Sequence, residues 1–517
     1  MSTPRNSQRP SVPTASLPLE EHPLSRRLYT AEQGRALDRV ACQMAGAFGL
    51  MHRAGSRAFD VLQQRWPAAR QLVIVCGGGN NAGDGYVLAA LAQRAGLSPR
   101  IWALVPPEQL TGEAAQAVEL ARTAHVAMDA SAVELCNADV IVDGILGTGV
   151  HGEVTGEYRE AIAAINAAHI PVLALDLPSG LNCDTGAGHP IVQASVTVTF
   201  ITRKPGLYTG LGVDCAGDVI FAALGVDDQW RTQVEWSGWV LHDSDRAVHL
   251  PTRRPTTHKG HCGHALIIGG QPGYGGSTIL SAEAAARVGA GKVSLATDAA
   301  HIAPALVRCP EVMVRGVRNA HDLNDLLTQA DVVSIGPGLG QQAWGEGLFD
   351  AVLGHKGPLL IDADGLHLLK RMASGERRDD WILTPHPGEA AMLLGCSAAD
   401  VQADRLGAAR ALWQAWGGTV VLKGNGSLVI NGEMPEQLAL CPYGNAGMAS
   451  GGMGDVLGGM IIGLHAQGLS AFDAACMGVL VHAEAADDAA CAIGQRGLLA
   501  SDLAAYAHRR VNPDSAG

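Results

Sequence analysis

The chain has 517 residues, more than one typical domain holds, so two or three domains are expected. Hydrophobic residues make up 47% and aromatics 4%, enough for large cores built by close helix–sheet packing. The net charge of −13 excludes a nucleic-acid surface, which needs a basic footprint. Residues 1–27 are rich in Pro, Ser and Arg, lack the apolar centre of a signal peptide, and read as a disordered tail. No apolar run reaches membrane-span length, so no membrane partner is expected. Eleven scattered cysteines without a Cys-x-x-Cys read as free thiols in a reducing, cytoplasmic setting.

Positions 30–65 read as helix, with apolar residues recurring through Leu37, Val40, Met44 and Leu50 to Leu62. His52 and Arg53 fit its solvated face. A short apolar run at 72–76 reads as a buried parallel strand. It leads into Gly77-Gly78-Gly79-Asn80-Asn81-Ala82-Gly83-Asp84-Gly85 and then a helical pattern over 86–94. Strand, glycine loop and helix make the nucleotide-binding arrangement of doubly wound sheets, although the loop is neither G-x-G-x-x-G nor a Walker loop. Asn80 and Asn81 offer amide donors and carbonyl oxygens to a ribose, a phosphate or a hard cation; an Asn-rich turn is the plain alternative.

Further strands are expected at 101–105, 140–143, 172–176 and 195–200, with helical stretches between them. Asp143 and Asp176 end two of these strands, and Ser179 follows the second. Three strand ends thus bring Asn80, Asn81, Asp84, Asp143, Asp176 and Ser179 to one edge. Oxygen donors without His or Cys suit an alkali or alkaline-earth ion. Lys204 is either a phosphate contact or simply solvated. Residues 226–258 break the rhythm, with Trp230, Trp236 and Trp239 among Asp227, Asp228, Asp243 and Asp245. The expected units are 28–228, a linker at 229–238, a second unit at 239–511 and a tail at 512–517.

In the second half, strands are expected at 265–269, 293–296, 331–335, 359–361, 381–384 and 419–423. Each ends near Gly, Asp or His, which points to a second α/β sheet with its site along one edge. Several of these features have plain explanations. Asn425-Gly426 suits a tight hairpin turn. Asp362 fits metal binding or capping, and Asp364 fits capping. His386, between prolines, is a structural or a ligand-facing residue. The stretch 444–457 carries glycines and then an apolar helix, with Asp455 at its start. The N–H groups at a helix start form an anion site. Asp455 is then either an N-cap or a general base for a hydroxyl that receives a phosphoryl group.

The motifs NNAGDGYVLA, VDGILGTG and ALDLPSGLNCDTG resemble the N-terminal epimerase domain of the bifunctional NAD(P)H-hydrate repair enzymes, over residues 28–225. HKGHCGHALIIGG, ARVGAGKV, SIGPGLG, LIDADGL, LTPHPGE, VLKGNGS and ASGGMGDVLGG resemble the ADP/ATP-dependent NAD(P)HX dehydratases, relatives of ribokinase-like kinases, over 240–511. Ala82 stands where that family usually has Gly, and Met453 where much of it has Thr. The resemblance implies an α/β protein with an N-terminal Rossmann-like three-layer domain and a C-terminal ribokinase-like domain.

It implies that Asn80, Asn81, Ala82, Gly83, Asp84, Gly147, Thr148, Gly149, Val150, His151, Gly152, Glu153 and Asp176 line the hydrated cofactor. Asn81, Asp143 and Ser179 would hold potassium. The hydrate is a carbinolamine, and inverting its centre opens and recloses a C–O or C–N bond, for which Asp176 is the favoured acid/base. In the second unit Ser277, Gly338, His386 and Asp455 would face the hydrate. Lys423, Gly424, Asn425, Gly426, Ser427 and Gly454 would face the adenine nucleotide. Asp455 would deprotonate the hydroxyl as it takes a phosphoryl group from ADP, with Mg2+ alongside. The implied reactions interconvert R- and S-NAD(P)HX and dehydrate the S form. The expected partners are NADHX, NADPHX, ADP and further copies of the chain. The alternative is a vitamin-precursor or sugar kinase with a non-catalytic N-terminal binding module. LTPHPGE and GPGLG favour the dehydratase, and Asp143 and Asp176 favour a working first site.

Overall fold

The computed structural model describes residues 23–130, 133–149, 152–226, 228–433 and 437–512. Val150, His151, Asp227 and most of the expected tails lie outside them. The first half contributes strands β1 (Arg27–Leu28), β2 (Gln71–Cys76), β3 (Ser98–Ala103), β4 (Ala127–Asp129), β5 (Val140–Gly144), β6 (Val172–Leu175), β7 (Val196–Phe200) and β8 (Asp218–Ala222). Strands β2 to β8 form a parallel sheet in the order β4-β3-β2-β5-β6-β7-β8. Every residue of β5, β6 and β7 is buried, as strands covered on both faces should be. The winding reverses between β2 and β5, so a crevice opens beyond their carboxyl ends.

The helix expected over 30–65 is two helices, Ala31–Ala45 and Ala47–Arg65. Gly46 parts them with φ 73°, a conformation that costs glycine little. Thr30 caps the first helix in a reciprocal box with Gln33, which contributes about 1 kcal/mol. The helix after β2 starts at Asn80, not at Tyr86. Its first turn is therefore made of the residues expected to form a loop.

The second sheet adds β9 (Gly238–Val240), β10 (His264–Ile268), β11 (Lys292–Thr297), β12 (Met313–Gly316), β13 (Val332–Ile335), β14 (Leu359–Ile361), β15 (Trp381–Leu383), β16 (Thr419–Leu422), β17 (Ser427–Ile430) and β18 (Leu438–Cys441). Its eleven strands run β1-β9-β18-β17-β16-β15-β14-β13-β10-β11-β12. Strands β16 through β12 in that order are parallel, and β16–β17–β18 is an antiparallel meander. Here the winding reverses between β10 and β13.

The two sheets share a joint. Residues 23–27, expected in the tail, form a short 3-10 turn and the start of β1. Strand β1 pairs with β9 of the second sheet, while Leu28 also bridges Arg203 beyond β7 of the first. Arg26 is ion-paired with Asp245 at 2.7 Å, and Arg27 stacks over Trp236 at 4.4 Å. Leu177, Leu207 and Tyr208 share one apolar cluster with Leu428 and Leu440. Arg405 is buried at this joint, bonded to Thr209, Gln402 and three main-chain carbonyls. Taking a cation out of water costs several kcal/mol. Hydrogen bonds from a charged donor, at about 1.5–3 kcal/mol each, are what offset it.

Candidate active sites

A cavity of about 660 Å³ opens at the reversal between β2 and β5. Asn80, Asn81, Asp84, Gly147, Thr148, Gly149 and Asp176 line it, together with Asp38 and Lys204. Asp176 follows β6 in a left-handed conformation, φ 65°, unusual for a non-glycine residue. Its Oδ1 accepts from the Phe200 N–H at 3.0 Å and is paired with the Lys204 ammonium. Lys204 also donates to Thr199 Oγ1 at 3.0 Å and the Phe200 carbonyl at 2.9 Å, so it is buried and fixed, not solvated. Burial first, then the charges of Asp176 and Asp38, push the Asp84 carboxyl well above its usual range. Burial also raises Asp38 to about 6, but it stands open at the mouth, where water screens the effect, so the Asp84 shift carries more weight.

Behind the cavity, Asp143 is fully buried. It accepts from Ser179 N at 2.8 Å, Ser179 Oγ at 2.6 Å and Ile145 N at 3.2 Å. Burial raises its carboxyl to about 6, against these bonds. Asn81 Nδ2 donates to the Leu146 carbonyl at 3.1 Å, while its Oδ1 is buried without a partner. An orphaned carbonyl oxygen beside a buried carboxylate and a hydroxyl suits a hard monovalent cation.

The second constellation gathers on loops after β10, β13, β14, β15 and β16. Gly270 N donates to the Pro337 carbonyl at 3.0 Å and Gln271 N to the Gly338 carbonyl at 2.7 Å. These bonds zip together the loops that carry Ser277 and Gly338. Asp455 lies in the first turn of the helix Met453–Ala466, where main-chain N–H groups lack helical partners. It is hydrogen-bonded to Ser277. Burial first, then the Asp362 charge, raise its carboxyl to about 6, against the pull of Ser277 and Lys423. Lys423 Nζ lies 2.7 Å from Asp362 Oδ1 and 3.7 Å from Glu389 Oε2. Burial alone would lower its ammonium; Asp362, Glu389 and Asp455 outweigh that and hold it high. A Cβ on Gly454 would sit 3.2 Å from this ammonium, so Gly454 packs closely against the Lys423 side chain.

Some expected residues fall elsewhere. Ala82 and Gly83 are packed in the core side of the helix Asn80–Arg94, with Gly83 against Met51. Gly152 and Glu153 are absent from the cavity lining, and Glu153 is exposed and paired with Arg159 at 2.8 Å. His386 caps the helix Pro387–Leu394 through Nδ1, which accepts from Gly388 N at 3.0 Å and Glu389 N at 3.2 Å. A backbone N–H can only donate, so the ring proton sits on Nε2. Asp364 does not cap its own helix; it accepts from Gly340 N at 2.9 Å and braces the 336–340 loop. Lys423, Gly424, Asn425 and Gly426 form the β16–β17 turn, and Ser427 opens β17. Sequence reasoning missed Asp38, which looks like one more polar residue on an amphipathic helix. It also missed His482, a buried ring that burial lowers to about 4 and that bonds the Met453 main chain at the start of the Asp455 helix.

Two oxygen-rich centres, each at the winding reversal of its own sheet, define a two-centre α/β enzyme. A family model described as NAD(P)H-hydrate dehydratase matches residues 265–509, and one described as YjeF-related protein N-terminus matches 47–206. The bifunctional NAD(P)H-hydrate repair enzyme Nnr of Coxiella burnetii is 45% identical over 94% of this chain and 99% of its own. Its Escherichia coli counterpart is 42% identical over 96% of each. A Bacillus subtilis ADP/ATP-dependent NAD(P)H-hydrate dehydratase, co-crystallised with ATP and Mg2+, is similar over 53% of this chain and 97% of its own, with 27% identity and a TM-score of 0.46. The chain belongs to the bifunctional NAD(P)H-hydrate repair enzymes, with an epimerase and a dehydratase activity. The matches span both halves, which sets aside a kinase fused to a passive binding module.

Proposed function

We propose that the first centre epimerises hydrated NADH and NADPH through Asp176 and Asp84, and that the second dehydrates the S form through Asp455 at the expense of ADP. In the first, opening the C–O bond requires a proton for the departing hydroxyl. Asp84, whose carboxyl burial raises well above its usual range, and Asp176, oriented by Lys204 and the Phe200 N–H, share the proton work. Asn81, Asp143 and Ser179 would hold a potassium ion, which would supply positive charge near the hydrate's phosphates. The partnerless Asn81 Oδ1 supports that assignment.

In the second centre, Asp455 removes the proton from the hydrate's hydroxyl as its oxygen attacks the terminal phosphoryl group of the nucleotide. Hydroxide is a poor leaving group at neutral pH, whereas phosphate is a good one. Its departure, with loss of the neighbouring ring proton, restores the dihydronicotinamide. The 423–427 turn, with Lys423 and Gly454, would hold the nucleotide. Asp362 and Glu389 are already shared with Lys423, so Mg2+ would arrive on the nucleotide, where it would neutralise phosphate charge. The observation that carries this reading is a half-buried carboxylate, its pKa raised, at a helix start beside an ammonium.

Recovery of NADPH absorbance from hydrated NADPH tests the reading, with ADP and ATP supplied separately. Recovery with ADP is expected, and none with either nucleotide overturns it. Eleven free cysteines support a cytoplasmic setting. A homo-oligomer is supported by exposed Leu306 and Val307 beside β12, the open edge of its sheet. Among the described residues, no helix is long and apolar enough to cross a membrane.

A further inference from the structure

Arg405 opens the helix Arg405–Trp416 and lies beneath the β16–β17 turn, only 1% exposed. Its Nη2 donates to the carbonyls of Leu422, Lys423 and Gly426 at 3.4, 3.3 and 3.3 Å. Its Nε donates to Thr209 Oγ1, on a segment from the first half, at 2.9 Å. No carboxylate among the described residues pairs with it, and burial lowers the guanidinium to about 10. With its burial offset by hydrogen bonds to neutral oxygens and no carboxylate to neutralise it, the guanidinium keeps a full positive charge beneath the turn.

The turn sits directly on this charge. A Cβ on Gly424 would lie 2.9 Å from Arg405 Nη1, and one on Gly426, at φ 67°, would lie 2.0 Å from the Tyr208 carbonyl. A planar trans peptide points its carbonyl and the next N–H in opposite directions. With the Lys423 carbonyl drawn to the guanidinium, the Gly424 N–H is turned away from it, to the outer side of the turn. An outward amide above a buried positive charge favours an anion at that side of the turn.

We infer that Arg405 is a positioning residue for the nucleotide donor, shaping the 423–427 turn, and that Thr209 fixes Arg405, so donor affinity at the second centre depends on a side chain from the first half. This rests on the reading that the turn holds the nucleotide. The segment involved starts at Lys204, the partner of Asp176, so the two centres are joined through a few residues of chain.

The test uses the full chain with Thr209→Val, Thr209→Ser and Arg405→Lys, measuring KM for ADP and for the hydrate separately. Thr209→Val and Arg405→Lys are expected to raise the ADP KM at least about fivefold, the low end of coupling between sites. The hydrate KM should stay within about twofold. Thr209→Ser, which keeps the hydroxyl, should restore the ADP KM. Epimerisation, measured on the same preparations, reports that the fold is intact. An unchanged ADP KM in both disruptive variants, or an equal rise for both substrates, overturns the inference. The unaltered chain separates the two failures: no recovery with ADP or ATP removes the functional reading, and the inference with it.

Discussion

In the proposed reading the two centres share one problem, handling a hydroxyl on a ring carbon beside nitrogen, with carboxylates held in opposite ways. At the first, Asp176 is clamped by an ammonium and a main-chain N–H, and its neighbour Asp84 is pushed toward its protonated form. Acid and base are then both at hand, as a reaction that must run in either direction requires. At the second, the base we propose is Asp455, bonded to Ser277 and close to the charges of Asp362 and Lys423. Its carboxyl is raised to about 6, low enough to be ionised at neutral pH and high enough to accept a proton well. Here the driving force comes from a consumed nucleotide, so the reaction runs one way.

The sharpest break of this comparison is a crossed pair of substitutions. Asp455→Asn should lower nucleotide-dependent NADPH recovery by about 100- to 10,000-fold while isomer interconversion continues. Asp176→Asn should do the reverse, costing epimerisation about 100-fold or more and leaving turnover of the S isomer intact. Chromatography of the two isomers alongside NADPH absorbance reads both, and a loss of both activities in either variant would contradict separate centres.

A smaller effect sharpens the contrast. Asp455 acts as a base only when ionised, so dehydratase kcat/KM should fall about tenfold per pH unit below about 6 and be flat above it. A profile without that acid limb would remove Asp455 as the base.

The smallest effect concerns Asp143. Its folded carboxyl, near 6, lies above the ordinary value of 3.8, so the folded state binds the proton more tightly. Stability therefore falls as pH rises from about 4 to about 6. A cation at Asn81, Asp143 and Ser179 relieves that penalty only once Asp143 is ionised. Potassium should raise the Tm above pH 6, by about 2–4 °C for each kcal/mol of binding, and have little effect near pH 4.5. Equal stabilisation by sodium, or none by potassium, would argue against the site.

Much of this was legible in the sequence, because glycine loops at strand ends carry local signals. The two sheets and the place of Asp455 at a helix start follow from such stretches. What stayed hidden is long-range. A two-residue strand at Arg27 and Leu28 has no periodicity, and its partner lies more than two hundred residues away. Asp38 and Lys204 look like ordinary solvated charges until the fold brings them beside Asp176. The helix pattern runs through Gly46 unbroken, so only the glycine hints at the bend.

The strand at Arg27 and Leu28 also makes the polypeptide behave like a buckled strap: it starts on one unit, builds the other, and returns to fasten the loop. Trimming the start, even upstream of every reacting group, would leave β9 with a bare row of amides and carbonyls, a surface prone to self-association. Fusion or evolution of the two activities as independent pieces would then have to supply a new fastening for that border.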